Sequence, residues 1–247
     1  MKRILRPIYL FGNGLIEMIG GKKFLAQRFP GVYRRGVKLR WKSFMKPGDT
    51  VVQAGVDMGT KHDKCGGSNV VYMSEIVGET GRVIAIEPTK KNIHLLKKHV
   101  HEKNIKNITL VEKALWRRKT RIPFLLGEES WHNRLETVPS EGEESEKKWR
   151  GRYTVEADTL DNILEEHQVD DPAHICMTIN GAELEALEGM EKTLKTKKPT
   201  LLIASGKSQQ HRPNVDGTPL NKKIAETLKK QGYKTKINPD GWINAYK

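Results

Sequence analysis

Between residues 50 and 204 five short apolar runs alternate with segments of helical periodicity, and this alternation constrains the fold more than any other feature of the chain. The runs are Thr50-Val-Val-Gln-Ala-Gly55, Gly81-Arg-Val-Ile-Ala-Ile-Glu-Pro88, Asn107-Ile-Thr-Leu-Val111, Ala173-His-Ile-Cys-Met-Thr-Ile179 and Pro199-Thr-Leu-Leu-Ile-Ala204. Such runs suit strands buried on both faces, as in a parallel sheet with helices on each side. Helices are expected over residues 68–77 (Ser68 as N-cap, Gly78 as stop), 91–103, from Thr159, over 182–190, and over 220–231 before Gly232. The spacing predicts an α/β protein with a mainly parallel, doubly wound sheet over residues 47–247, its last residues supplying one or two edge strands. Residues 1–46 read as a basic, helical N-terminal extension, and residues 131–150 as an exposed excursion rich in Glu, Ser, Lys and Gly.

The net charge of +14 is concentrated at the ends. Residues 1–50 hold 12 Lys and Arg against 2 acids, and residues 191–247 hold 13 against 4, whereas residues 51–190 hold 19 against 24. Basic ends favour an anionic partner: a lipid surface, a phosphorylated carrier or nucleic acid. Apolar residues among the N-terminal charges suit either a helix on a membrane surface or one packed on its own domain. Arg6, Pro7, Gly12 and Asn13 interrupt that segment, which leaves neither a membrane-spanning run nor the cleavage pattern of a secreted protein. Cys65 and Cys176 lack metal-ligand spacing and fit reduced thiols of a cytoplasmic protein, with no metal site expected. The inner membrane surface is a further location, reached through residues 1–46.

In an open α/β sheet ligands bind at the carboxyl ends of the strands. The first run leads into Gln53, Gly55, Asp57 and Gly59, small residues that let a ligand approach the backbone. The second ends at Glu87, whose carboxylate can accept both hydroxyls of a ribose. Together they point to a nucleoside-containing cofactor. The glycine spacing is not that of a dinucleotide site, and Asp57 would repel a pyrophosphate while attracting an ammonium. No phosphate-binding G-x-x-x-x-G-K-[ST] occurs.

The residues from Gly48 to Gly59, Val77-Gly78 and Gly81 to Pro88 resemble the opening of FkbM-type methyltransferases. Asn107 to Leu115, Thr159-Leu160-Asp161 and Gly181-Ala-Glu-Leu-Glu-Ala-Leu-Glu-Gly189 agree with later family elements, so that the resemblance covers about residues 46–235. It implies a Rossmann-like class I methyltransferase fold, S-adenosylmethionine as cofactor, and O-methylation of a sugar, uronic acid or related glycan hydroxyl. By position it places Gln53, Gly55, Asp57 and Gly59 at the methionine end, Glu87 at the ribose, and Glu112, Lys113 and Ala114 near the adenine. The chain departs from the family pattern at Gln53, Thr178 and Asn180, where acids are common.

Methyl transfer needs an aligned nucleophile, and a hydroxyl acceptor also needs a base. A carboxylate acceptor is ionised already. Asn180, Glu183 and His132 are the principal catalytic candidates, with His62 and Asp63 in the loop before residue 68. Lys207, His211 and Arg212 follow the fifth strand and suit an anionic or lipid-linked acceptor. An RNA-modifying or RNA-binding protein on the same fold, and an inactive descendant that retains the cofactor pocket, are the alternatives.

Overall fold

The structure, a computed structural model, describes residues 41, 43–56, 69–127, 133–137, 149–204, 220–238 and 242–247. Its centre is a seven-stranded sheet. From one edge to the other the strands are β3 (Ile108–Val111), β2 (Arg82–Ile86), β1 (Thr50–Ala54), β8 (His174–Met177), β9 (Thr200–Ala204), β11 (Trp242–Tyr246) and β10 (Lys234–Ile237). The first five are parallel, and β11 runs antiparallel between β9 and β10. Strand order reverses at β1, with β2 and β3 on one side and β8 and β9 on the other. The reversal opens a crevice at the carboxyl ends of β1, β2 and β8.

Side-chain alternation divides the sheet's residues between two cores. Val52, Ala54, Ile84, Ile86, Ile175, Met177, Leu201 and Ile203 face α3 (Leu160–Glu166), α4 (Glu183–Glu188), α5 (Glu191–Thr196) and α6 (Leu220–Lys230). Val51, Val83, Ala85, Cys176 and Leu202 face α1 (Asn69–Val77) and α2 (Lys90–Glu102). Trp41, at the end of the expected N-terminal extension, joins this second core and meets Trp242 edge-on at 6.4 Å. Residues 1–40 lie outside the described part. Among the described residues no helix is long and apolar enough to cross a membrane.

A second sheet, absent from the sequence expectations, joins β4 (Ala114–Leu115), β7 (Gly151–Asp158), β5 (Thr120–Leu126) and β6 (Arg134–Leu135) in that order. Its β6 lies in the stretch expected to be exposed, yet Arg134 and Leu135 are each 3% exposed. The guanidinium of Arg134 stacks over the Trp149 ring at 5.0 Å. Only one face of this sheet is buried, so apolar residues recur at every second position, as at Ile122 and Phe124 or Val155 and Ala157.

The helix expected over 182–190 is α4, closed at Gly189, and a further short helix, α5, follows directly after Met190. A Cβ at Gly189 would lie 2.1 Å from the carbonyl oxygen of Trp116, because the turn presses against the segment after β4. Asp161 then starts α5. Its carboxylate accepts the Lys192 N–H at 3.0 Å, the Thr193 N–H at 2.9 Å and the Thr193 hydroxyl at 2.6 Å. Thr159 caps α3 by accepting the Asn162 N–H at 3.1 Å, and Leu160 is fully buried in the first core. Thr159-Leu160-Asp161 is therefore a structural stitch between two helices and the sheet.

Candidate cofactor and acceptor site

Glu87 follows β2, the strand next to the reversal at β1, and is 5% exposed. One carboxylate oxygen accepts the Val56 N–H and the other the Thr89 N–H, each at 2.9 Å. Asn92, in the first turn of α2, donates to the Val56 carbonyl at 2.9 Å. The tails of β1 and β2 and the start of α2 are thus fastened around one carboxylate. Burial pushes the Glu87 carboxyl above its ordinary value, and hydrogen bonds from Thr89, Val56 and Asn92 offset part of that rise.

Gly55 has φ +79°, and a Cβ there would lie 2.1 Å from the carbonyl oxygen of Thr178. The glycine is required by the neighbouring strand's backbone as well as by the turn. Gln53, 1% exposed, shares its amide protons among the carbonyls of Gly55 (2.9 Å) and Ala54 (3.1 Å) and the Thr178 hydroxyl (3.3 Å). Its own side-chain carbonyl oxygen is buried without a hydrogen-bond partner among the described residues. Asp57, Gly59, His62, Asp63, His132, Lys207, His211 and Arg212 lie outside the described residues.

The three residues expected near the adenine, Glu112, Lys113 and Ala114, have different surroundings. Glu112 is exposed at the end of β3. The Lys113 ammonium lies 2.6 Å from Glu166 and 3.3 Å from Asp158, tying the β3–β4 connection to α3 and the end of β7. Burial alone would lower the Lys113 pKa, but these two acids raise it. Asp158 shows the converse: burial raises its carboxyl, and bonds from Asn162, the Thr159 N–H and Lys113 bring it below its ordinary value. Ala114 is buried in β4 beside Ala157 of β7.

Asn180 and Gly181 form the turn after β8, with φ of +53° and +99°. The Asn180 side-chain amide donates to the Asn133 carbonyl at 2.7 Å, linking the turn to the start of β6. Glu183, fully buried, accepts the Ile179 N–H at 3.3 Å. The structure therefore brings the candidates Asn180 and Glu183 together, both engaged in holding this turn. Among the described residues, no three His, Cys, Asp or Glu side chains converge as metal ligands.

Thr89, Asn92 and Tyr153 were not anticipated at this site. Tyr153 comes from β7, and its ring meets Phe124 edge-on at 5.7 Å. Burial raises the phenol's pKa; Thr89 lies beside its hydroxyl and lowers it, while the nearby charges of Glu87 and Glu112 raise it further. The period-two pattern of Tyr153, Val155 and Ala157 is the signal that would have marked β7 as a half-buried strand.

Residues 57–235 match the methyltransferase FkbM domain. The chain belongs to this family. S-adenosylmethionine is the family's methyl donor. Among solved structures, the chain is similar to the FkbM methyltransferase of Methylobacillus flagellatus KT, with 17% identity and a TM-score of 0.52 over 91% of this chain and 58% of that one. It thus spans little more than half the length of that relative. It is also similar to a SAM-dependent methyltransferase from Aquifex aeolicus (14% identity, TM-score 0.47, 95% and 96% of the two chains). A third similar structure is Aeropyrum pernix fibrillarin in complex with natively bound S-adenosyl-L-methionine (14% identity, TM-score 0.46, 86% and 73%). No curated protein matches the sequence significantly.

Proposed function

We propose that this protein transfers the methyl group of S-adenosylmethionine to an oxygen of a sugar-type acceptor, with the carboxylate of a uronic acid as the favoured class. The observation that carries the cofactor half is the Glu87 carboxylate. Its two backbone hydrogen bonds occupy one acceptor site on each oxygen, and a carboxylate has about four. What remains suits the two hydroxyls of a ribose. The buried carbonyl oxygen of Gln53, which has no partner among the described residues, is an acceptor for an ammonium at the methionine end. Bound here, S-adenosylmethionine supplies an electrophilic methyl group on a sulfonium. Glu87 orients its ribose, and Gly55 lets the β1 tail lie close against Thr178 beside it.

The acceptor half rests on the end of β8. Thr178 hydrogen-bonds the Gly55 carbonyl at 3.1 Å, Asn180 is bonded to Asn133, and the Glu183 carboxylate is turned back onto Ile179. A strand end built this way offers orientation more than proton removal, which suits an acceptor oxygen already ionised at neutral pH. The basic charge at both ends of the chain fits the same anionic class.

The test is transfer of labelled methyl from S-adenosylmethionine to a panel of uronic acids, neutral sugars, lipid-linked saccharides and RNA. A base-labile label in a uronic acid, as a methyl ester gives, is the expected result. A base-stable label in a neutral sugar overturns the carboxylate assignment. Label in RNA overturns the glycan assignment, and no transfer to any member despite bound cofactor overturns both.

A further inference from the structure

We propose that Tyr153, supplied by the second sheet, closes the adenosine end of the site and donates a hydrogen bond to a ribose hydroxyl of the cofactor. The inference rests on S-adenosylmethionine occupying the strand ends beside Glu87. Two residues after β3 the chain enters β4, and β4 pairs with the end of β7, Ala114 opposite Ala157 and Leu115 opposite Asp158. That pairing brings β7 alongside the carboxyl end of β3, although β7 belongs to another sheet. Tyr153, four residues before the paired Ala157, is the residue of β7 whose hydroxyl lies beside Thr89 at the start of α2.

Its two ends have different surroundings. The ring packs edge-on against Phe124, itself 5% exposed, and Val155 and Ala157 on the same face of β7 fill the small sheet's core. Phenylalanine would serve that packing equally well. The hydroxyl instead lies next to Thr89, within electrostatic reach of Glu87 and Glu112. The Thr89 side chain is 5% exposed and neighbours both the Glu87 carboxylate and the phenol, while its hydroxyl has no partner of good hydrogen-bond geometry among the described residues. A buried hydroxyl lacking a good partner is costly, and a pocket that has one is completed by a ligand atom.

Burial and two neighbouring carboxylates keep the phenol protonated at neutral pH, so that it is a donor there. A ribose hydroxyl both donates and accepts. Its proton goes to the open acceptor sites of Glu87, and its oxygen takes the phenol proton. The main sheet thereby supplies the acceptor of the ribose contact, and the small sheet supplies a donor and a wall. This division gives β4–β7 a role in cofactor binding that their position outside the main sheet does not suggest.

The experiment is calorimetric titration of the full chain with S-adenosylhomocysteine and its 2′-deoxy and 3′-deoxy analogues, on the wild type and on Tyr153→Phe. The substitution keeps the ring against Phe124, and a melting curve checks that it folds as the wild type does. Loss of one neutral hydrogen bond is expected to weaken S-adenosylhomocysteine about three- to tenfold. That penalty should vanish for whichever deoxy analogue lacks the contacted hydroxyl, an outcome packing alone cannot produce. Tyr153→Ala, which also removes the wall, should bind more weakly than Tyr153→Phe. Unchanged affinity in Tyr153→Phe, or the same penalty for all three ligands, overturns the assignment of Tyr153 and leaves the cofactor reading intact. Failure of the wild type to bind S-adenosylhomocysteine overturns both.

Discussion

Replacing Glu87 by Gln isolates what the buried carboxylate does. The side chain keeps its shape, but only one of its two polar atoms remains an acceptor. Val56 and Thr89 each donate a backbone N–H to a different oxygen of Glu87. The amide nitrogen of Gln must face one of these donors, leaving that donor unpaired in a site that is 5% exposed. An orphaned buried N–H costs about 1–3 kcal/mol, set against relief from burying a charge. The same amide nitrogen cannot accept a ribose hydroxyl. Loss of one hydrogen bond to a charged group, about 1.5–3 kcal/mol, corresponds to roughly 10- to 150-fold weaker binding. Titration of S-adenosylhomocysteine into wild type and Glu87→Gln at neutral pH measures the second effect, and denaturant unfolding without ligand measures the first. A variant that melts earlier yet binds within twofold of the wild type would refute the ribose assignment. The carboxylate would then be only the fastener that holds Val56 and Thr89 together.

Acidification should weaken cofactor binding in the wild type. Because burial raises the Glu87 carboxyl above 4.5, affinity is complete above the raised value and falls as pH drops through it; a titration series shows this, and Glu87→Gln should lack this component. The sign for stability is opposite. The folded chain holds that proton more tightly than the unfolded chain, so this group's unfavourable contribution at neutral pH fades on acidification, which unfolding of wild type against Glu87→Gln detects. Gly55→Ala should lower the melting temperature and abolish S-adenosylhomocysteine binding. An alanine at φ +79° costs about 1–2 kcal/mol before the Thr178 carbonyl, 2.1 Å from the new Cβ, is pushed aside. Asp161→Ala should cost about 1–2 kcal/mol of stability, measured by denaturant unfolding, through loss of the cap on α5, while S-adenosylhomocysteine affinity stays within twofold.

The central strands were legible because both faces of the main sheet are covered. Val51 and Val52, or Ile84 and Ala85, enter different cores, so the strands appear as unbroken apolar runs. The β5–β7 sheet was missed for the complementary reason. One face is exposed, Pro123 argues against a strand in the sequence although β5 runs through it, and charged residues such as Arg121, Arg152 and Glu156 occupy the outward positions. Glu87 was singled out by its place after a strand, and its bonds to the β1 tail were not foreseen. Tyr153 was not singled out, because its relation to Glu87 depends on β4 and β7 pairing across more than forty residues. The ion pairs of Lys113 with Asp158 and Glu166 were not legible, because neither acid is adjacent in sequence. Thr159-Leu160-Asp161 was recognised as a pattern, but its work as a pair of helix caps emerges only where α3 meets α5.

The Asp161 carboxylate acts like a dowel between parts of the chain some thirty residues apart, registering α5 against α3 at a distance from any reacting atom. Gly189 does the same for the α4–α5 turn and the segment after β4. Residues that mark the chain as a family member are here the ones that align its frame. Thr178 and Asn180 fasten a different part of the molecule, the end of β8, to the Gly55 carbonyl and the Asn133 carbonyl.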